Sequence, residues 1–351
     1  MLKNTRKSKK NGNSDDAINK ELIVVGVEST AHTFGVSVIK GNEILSNVKN
    51  AFTTTSGGMI PAKVADHHVE FCDKVFLEAI QNANISVYDI NLIAFSRSPG
   101  IGHSLRIGAV FARSLSIKLK IPLIGVNHCI AHLEIGRMMT PAKDPVLLYA
   151  SGANTQIISY AAEKYRIFGE TLDIGIGNFL DSFGRALDLG FPAGPKIEAL
   201  AKKGTKFIKI PYSVKGMDVA FGGLLTNLKT KIKKKEFKVE DLCYSVQETV
   251  FAMLVEVTER ALAHTGKKEV ILGGGVACNK RLQEMVFVMC EERGAKAYWP
   301  ENQFLVDNAA MIAWTGYLIY AKSKDKYNSE GLKNSKIKPY ERTDDVIISY
   351  R

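Results

Sequence analysis

Apolar positions along the chain fall into two patterns. Short apolar blocks bounded by polar or turn residues predict buried strands, and longer blocks with apolar residues every three or four positions predict helices. LIVVGV (22–27) reads as a buried strand, followed by the strands FGVSVIK (34–40) and EILSNVK (43–49). The last two are joined at Gly41-Asn42, a two-residue hairpin signal. Residues 62–81 predict a helix, LIAFS (92–96) a strand, SPGIG (98–102) a turn, and GHSLRIGAVFARSLSIKLK (102–120) a helix. PLIGV (122–126) is a strand, and HCIAH (128–132) lies on a short helix. The pattern then restarts: VLLYA (146–150), TQIISYA (155–161) and YRIFGET (165–171) repeat the opening meander. Helices follow at 179–190 and 241–265, then the strand VILG (270–273), a helix after GGGVACN (273–279), and a last helix from DNAAMIAWTGYLIY (307–320).

Two copies of a meander followed by βα units predict a duplicated α/β fold of two lobes, each a mixed sheet flanked by helices. The expected limits are a first lobe over 21–140 and a second over 141–351, with a basic helical insertion near 195–265. Each copy brings a polar hairpin turn, ESTAHT (28–33) or SGANT (151–155), to the cleft between the lobes. Ligands in such sheets bind where strand ends meet helix starts.

The 351-residue length suits two domains, and 46% apolar with 24% charged residues is ordinary for a globular protein. The apolar runs are far shorter than the roughly 20 residues of a membrane span, so no membrane association is expected. MLKNTRKSKKNGNSDD lacks the apolar core of a secretory signal, and residues 1–20 read as a disordered basic tail. Cys72, Cys129, Cys243, Cys278 and Cys290 form no CxxC, which points to a reducing, cytoplasmic setting without a disulfide framework or zinc ribbon. The net charge of +11 is concentrated: residues 202–240 hold 11 lysines against Asp218, Glu236 and Glu240. Such a stretch is either a solvated surface or a grip for a phosphate backbone.

The two hairpin turns can hold phosphate, because small residues let backbone N–H groups approach an anion. GGGVACN adds a strand–glycine–helix order with a helix N-terminus as its anion end, but has neither the GK[ST] of a P-loop nor a dinucleotide fingerprint. HCIAH sets His128 and His132 one helical turn apart on one face, where their imidazoles either converge on a cation or act as cap and core histidines. A metal would need a further ligand, and Asp307, before Asn308 at a helix start, is the attractive carboxylate. No Glu follows His128, so the pair is not the HExxH of a zinc protease. His67 and His68, adjacent on a helix, are expected to face apart and to be structural. In NFLDSFGRALDLGFPAGPKIEAL (178–200), Asp181 suits a ribose hydroxyl, Gly194 permits close approach of a ring or sugar, and Glu198 lies one turn further. The same stretch also reads as a helix connector with ordinary polar caps.

Together HCIAH, YASGANTQ (149–156), NFLDSFGRALDLGFPAGPKIE (178–198), GGGVACNKRL (273–282) and DNAAMIA (307–313) resemble the universal tRNA threonylcarbamoyladenosine transferases from about residue 22 to 351. GVESTAHT and the closing RTDDVIISYR are similar to the archaeal and eukaryotic cytosolic branch, the catalytic subunit of KEOPS. The resemblance implies an actin-like ATPase (ASKHA) fold. It implies an acyltransferase that moves the threonylcarbamoyl group from threonylcarbamoyl-AMP, made by a separate synthase, to the exocyclic amine of the adenosine 3′ of the anticodon in tRNAs reading ANN codons. It implies one iron or zinc ion per subunit on His128, His132 and Asp307, with Tyr149 beside it. Donor or adenine-nucleotide contacts carry over to Tyr149, Ala150, Ser151, Gly152, Ala153, Asn154, Asp181, Gly194, Glu198 and Asn279, with Mg and ATP a further ligand pair. Ala153 and Ala193 stand where the family usually has glycine.

A mixed anhydride is already activated, so the absence of a Ser/His/Asp or Cys/His triad is expected, and no general base can be named. The partners implied are tRNA, a small kinase-like ATPase and a dimerising KEOPS subunit. No kinase domain follows in the chain, so that ATPase is expected to be separate. Two other classes remain open: a small-molecule kinase of the same superfamily, which would not need the histidine pair, and a non-enzymatic ATP-switched scaffold, which would bind nucleotide without turning over the donor.

Overall fold

A computed structural model describes residues 21–55 and 59–351; the basic tail expected at 1–20 lies outside the described residues. The first lobe runs β1 (Ile23–Glu28), β2 (Thr33–Lys40), β3 (Glu43–Ala51), α1 (Pro61–Asn82), β4 (Leu92–Ser98), α2 (Gly102–Leu119), β5 (Leu123–Asn127) and α3 (His128–Met139). The second continues with β6 (Val146–Ala150), β7 (Thr155–Ala161), β8 (Lys164–Glu170), α4 (Ile176–Ala186), α5 (Gly194–Ala201), β9 (Val214–Lys215), β10 (Asp218–Val219), α6 (Gly222–Lys234) and α7 (Val239–Thr265). β11 (Glu269–Gly273), α8 (Lys280–Glu292), β12 (Lys296–Tyr298), α9 (Asn302–Leu305) and α10 (Ala309–Glu330) complete it.

The duplication expected from the repeated pattern is visible in the sheets. The first has strand order β3-β2-β1-β4-β5 and the second β8-β7-β6-β11-β12. In each, the opening meander is antiparallel and the last two strands add in parallel. Where the first lobe has α1 between the meander and the next parallel strand, the second carries everything from α4 to α7. The lysine-rich stretch falls on this longer connection, which includes the 195–265 span expected to be an insertion.

The helices that close the two repeats cross over. α10 follows the second sheet in sequence, yet Ala310, Met311, Ile312 and Ala313 pack into one core with Val24, Ile39, Leu92 and Ile124 of the first. A lobe boundary at 140/141 separates the sheets but leaves this helix on the other side. α3 is buried without interruption from His128 to Gly136. Ala131 and Ile135 meet α10, while Cys129, Ile130 and Leu133 meet Leu147, Ile158 and Ile271 of the second sheet. α3 is therefore a core helix in which the polar side chains His128, His132 and Glu134 are buried among apolar ones and answered by partners, Glu134 by Arg137 at 2.8 Å and by the Tyr165 hydroxyl.

The chain end straps the lobes together. The Arg97 guanidinium pairs with Glu341 at 3.2 Å, Lys338 N donates to Arg97 O, Arg342 pairs with Glu170 at 3.0 Å, and Ile348 N donates to Glu163 O.

Gly26 is what lets α10 lie on β1: a Cβ there would come within 2.6 Å of the Ala313 nitrogen. Gly26→Val is expected to destabilise the chain by about 1–3 kcal/mol through overpacking, read as a lower denaturant midpoint in urea; an unchanged midpoint would show that α10 is not clamped there.

Candidate metal centre and nucleotide cleft

The site is built from helix starts. Asn127 caps α3: its side-chain oxygen accepts from Cys129 N at 3.1 Å and Ile130 N at 3.2 Å, which sets His128 on the first turn with His132 one turn below. Asn308 does the same for α10 by accepting from Met311 N at 3.1 Å, and Asp307 immediately precedes it. The crossing of α3 and α10 brings these starts together. The Nε2 atoms of His128 and His132 each lie 3.3 Å from the same Asp307 oxygen. One ligand-type atom from each of the three residues falls within 4.8 Å of the others, a group able to hold a metal ion.

The other nitrogen of His128 reveals a residue that the sequence patterns did not single out. Glu28, fully buried at the end of β1, has Oε2 3.0 Å from His128 Nδ1. Its Oε1 accepts from Thr30 N at 2.7 Å and from the Thr30 hydroxyl at 2.5 Å. A carboxylate on the far nitrogen fixes the tautomer and aims Nε2 at a ligand. The one cue in the sequence is the Glu of ESTAHT, which reads there as part of a phosphate turn.

Burial opposes charge on His128, but Glu28 and Asp307 outweigh it and raise its pKa well above the ordinary histidine value. Burial dominates at His132 and lowers its pKa; its Nδ1 is buried without a hydrogen-bond partner. Burial also opposes charge on Asp307, yet the two imidazoles hold its carboxyl well below the usual range. The Tyr149 ring lies 4.9 Å from that of His132, and burial pushes its hydroxyl pKa well above the ordinary tyrosine value.

The remaining predicted residues line a second group along the second lobe. Ala150 ends β6, and Ser151, Gly152, Ala153 and Asn154 form the turn to β7. That turn sits on the start of α4, where Gly177 N donates to Ser151 O and Asn178 N to Gly152 O. Gly274, at φ 91, adopts a conformation that favours glycine and packs its α-carbon against the Ala150 carbonyl. One Asp181 oxygen accepts from Ala193 N at 2.8 Å, and burial raises its pKa. Gly194 faces open space, with nothing within 4 Å of where a Cβ would lie. Glu198 accepts from Lys280 N at 3.3 Å. Asn279 caps α8 through its oxygen and donates to Gln247 at 3.0 Å, so both ends of its side chain are engaged within the protein. The Ala193 methyl is buried against Gly184, away from the opening at Gly194.

His67 and His68 do not face apart as expected. Their Nδ1 atoms lie 3.2 Å apart, His68 Nε2 donates to the Ala31 carbonyl at 3.0 Å, and His67 Nε2 donates to the Asn50 side-chain oxygen at 2.7 Å. The pair thereby pins the turn that carries Thr30.

The double-lobed fold resembles actin-like ATPase-fold structures. Thermococcus kodakarensis HypF matches with TM-score 0.60 at 16% identity over 89% of this chain and 48% of that one. Component A of the Acidaminococcus fermentans (R)-2-hydroxyglutaryl-CoA dehydratase matches with TM-score 0.54 at 15% identity over 86% of this chain and 100% of that one. Residues 43–314 match the TsaD family, tRNA N6-adenosine threonylcarbamoyltransferase, and the chain belongs to that family. The enzyme of that name from Thermococcus kodakarensis is 49% identical over 93% of this chain and 99% of its own length. A protein called a probable bifunctional tRNA threonylcarbamoyladenosine biosynthesis protein, from Methanosarcina barkeri, is 51% identical over 94% of this chain. The chain spans about 60% of the length of such bifunctional relatives. Among the described residues, no helix is long and apolar enough to cross a membrane.

The His68 imidazole, fully buried, has its pKa lowered to about 4 by burial and by the neighbouring His67. A depressed histidine favours folding above its unfolded pKa of about 6.5, and that contribution is lost as pH falls towards 4. His68→Gln should therefore flatten the fall in stability between pH 6.5 and 4 by roughly 3 kcal/mol, measured by urea unfolding at each pH. Parallel curves for both proteins would sink this assignment.

Proposed function

We propose that this protein is the catalytic subunit that transfers the threonylcarbamoyl group from threonylcarbamoyl-AMP to N6 of the adenosine 3′ of the anticodon in tRNAs reading ANN codons. The observation that carries the reading is the convergence of His128, His132 and Asp307 in a chain of this family. The donor set suits a metal: ligand atoms about 2.0–2.2 Å from a tetrahedral ion stand about 3.4 Å apart, close to the 3.3 Å between each Nε2 and Asp307. Two carboxylates, Glu28 and Asp307, beside two imidazoles match the charge of a divalent ion, and iron and zinc both accept such ligands. Such an ion supplies Lewis acidity and charge stabilisation to the acyl oxygens of the donor.

The chain's own residues do the rest. Glu28 holds the His128 tautomer and is itself held by Thr30. The turn at 151–154 and the open approach at Gly194 receive the nucleoside end of the donor, with the free oxygen of Asp181 for a ribose hydroxyl. Burial of Tyr149 against His132 keeps water from the inner wall. The N6 amine of the tRNA is the nucleophile, and an activated anhydride requires no covalent intermediate on a side chain.

The same reading puts the protein in the cytoplasm, in a KEOPS-type assembly with a small kinase-like ATPase and a dimerising subunit, and with Mg and ATP as a further ligand pair. The bifunctional relatives support a second activity working beside this one. For tRNA, the exposed Lys233, Lys234 and Lys235 at the end of α6, with Lys231 over the Phe237 ring, offer a basic surface.

The test supplies threonylcarbamoyl-AMP and tRNA and looks for the modified nucleoside by mass spectrometry after digestion. His128→Ala and Asp307→Ala are expected to abolish it, and Glu28→Gln to weaken zinc binding about 10–100-fold in a chelator competition; wild-type yields from the two alanine variants would refute the metal role. Neutralising Lys231, Lys233, Lys234 and Lys235 should lower tRNA affinity and flatten the log K against log salt slope by roughly 0.7–0.9 for each phosphate no longer neutralised, and an unchanged slope would count against the patch.

A further inference from the structure

Lys49 lies on β3, the edge strand of the first sheet. In the antiparallel register it stands opposite Gly35, so both project from the same face. α10 covers that face: a Cβ on Gly35 would lie 3.5 Å from Ala309 Cβ and 3.6 Å from Ala309 N. Lys49 thus projects from the face that the start of α10 covers, with Asp307 two residues before Ala309. It is open to solvent and forms no ion pair among the described residues. Although the residue is exposed overall, the packing around it lowers its pKa, opposed by the charge of Asp307 and then by Cys278 in the loop before α8.

Lys49 therefore carries its cation on the face beside the start of α10, near the cluster around Asp307, with Cys278 close enough to act on it. An adenylate lying along the cleft has its phosphate between its nucleoside and its acyl group. We propose that Lys49 binds the phosphate of the adenylate donor and stabilises it as the leaving group. This rests on the transferase reading. In the step, a bond forms between the adenosine N6 and the carbamoyl carbon while the bond from that carbon to the phosphate oxygen breaks. The electron pair goes to the phosphate, AMP departs, and the N6 proton passes to water. Negative charge grows on the oxygen nearest Lys49, where a charge-assisted hydrogen bond strengthens.

A lysine on an edge strand has a simpler use, which is to keep other strands from pairing there. The two roles separate by measurement. The full-length chain is titrated calorimetrically with AMP and with adenosine, as wild type, Lys49→Met and Lys49→Arg. Lys49→Met keeps the aliphatic stem, and its adenosine affinity reports an intact cleft. The expected result is that wild type prefers AMP, that Lys49→Met loses about tenfold or more of that preference with adenosine unchanged, and that Lys49→Arg retains it. Turnover of threonylcarbamoyl-AMP by Lys49→Met should show both a raised KM and a lowered kcat. A wild type without preference for AMP, or an unchanged preference in Lys49→Met, overturns the assignment. Absence of modified nucleoside with wild-type protein assayed together with the partner subunits overturns the transferase reading instead, and leaves the AMP-to-adenosine comparison interpretable.

Discussion

The packing of α3 against α10 holds the site together. Each helix ends one repeat, and each leaves its own sheet to meet its counterpart between the lobes. The residues with chemistry stand at the two helix starts, where the chain has just left a strand or short turn and side chains can reach sideways. His128 and Asp307 are 179 residues apart in sequence, yet the crossing puts Nε2 3.3 Å from the carboxylate. Loosening either helix would part them. Small residues keep the crossing tight: Gly26 beneath Ala313, and Ala131 against the α10 core.

Burying four ionisable groups together is costly unless each is answered. Here each carboxylate faces an imidazole, and Thr30 supplies both N–H and O–H to Glu28. The imbalance falls on His132, whose Nδ1 has no partner and whose environment disfavours a proton. A neutral imidazole with its Nε2 turned towards a carboxylate is the form in which histidine serves as a metal ligand. The supports reach outward through backbone: His67 and His68 hold Ala31, Ala31 adjoins Thr30, and Ile101 N donates to Thr30 O from the loop before α2.

The second lobe differs from the first mainly in what was inserted into it. α4 and α5 frame the opening at Gly194, and α7 gives them a large apolar floor that includes Val246, Val250 and Leu254. The chain end then returns across both lobes, so that cleft geometry depends on bonds made more than 170 residues from Glu170 and more than 240 from Arg97.

Much of this is legible in the chain. Apolar periodicity locates the strands and helices, because burial on one face or both leaves its period in the sequence. The repeated meander discloses the duplication, and the i, i+4 histidines disclose a shared face, because helical geometry is local. That Ala193 is small can be read from the chain, though not that Gly184 makes room for its methyl. Glu28 behind His128, the meeting of His67 with His68, the placement of α10 on the first sheet and the facing of Lys49 towards the start of α10 are decided only by tertiary structure. Each depends on distance between segments remote in sequence, which no local pattern of residue types encodes.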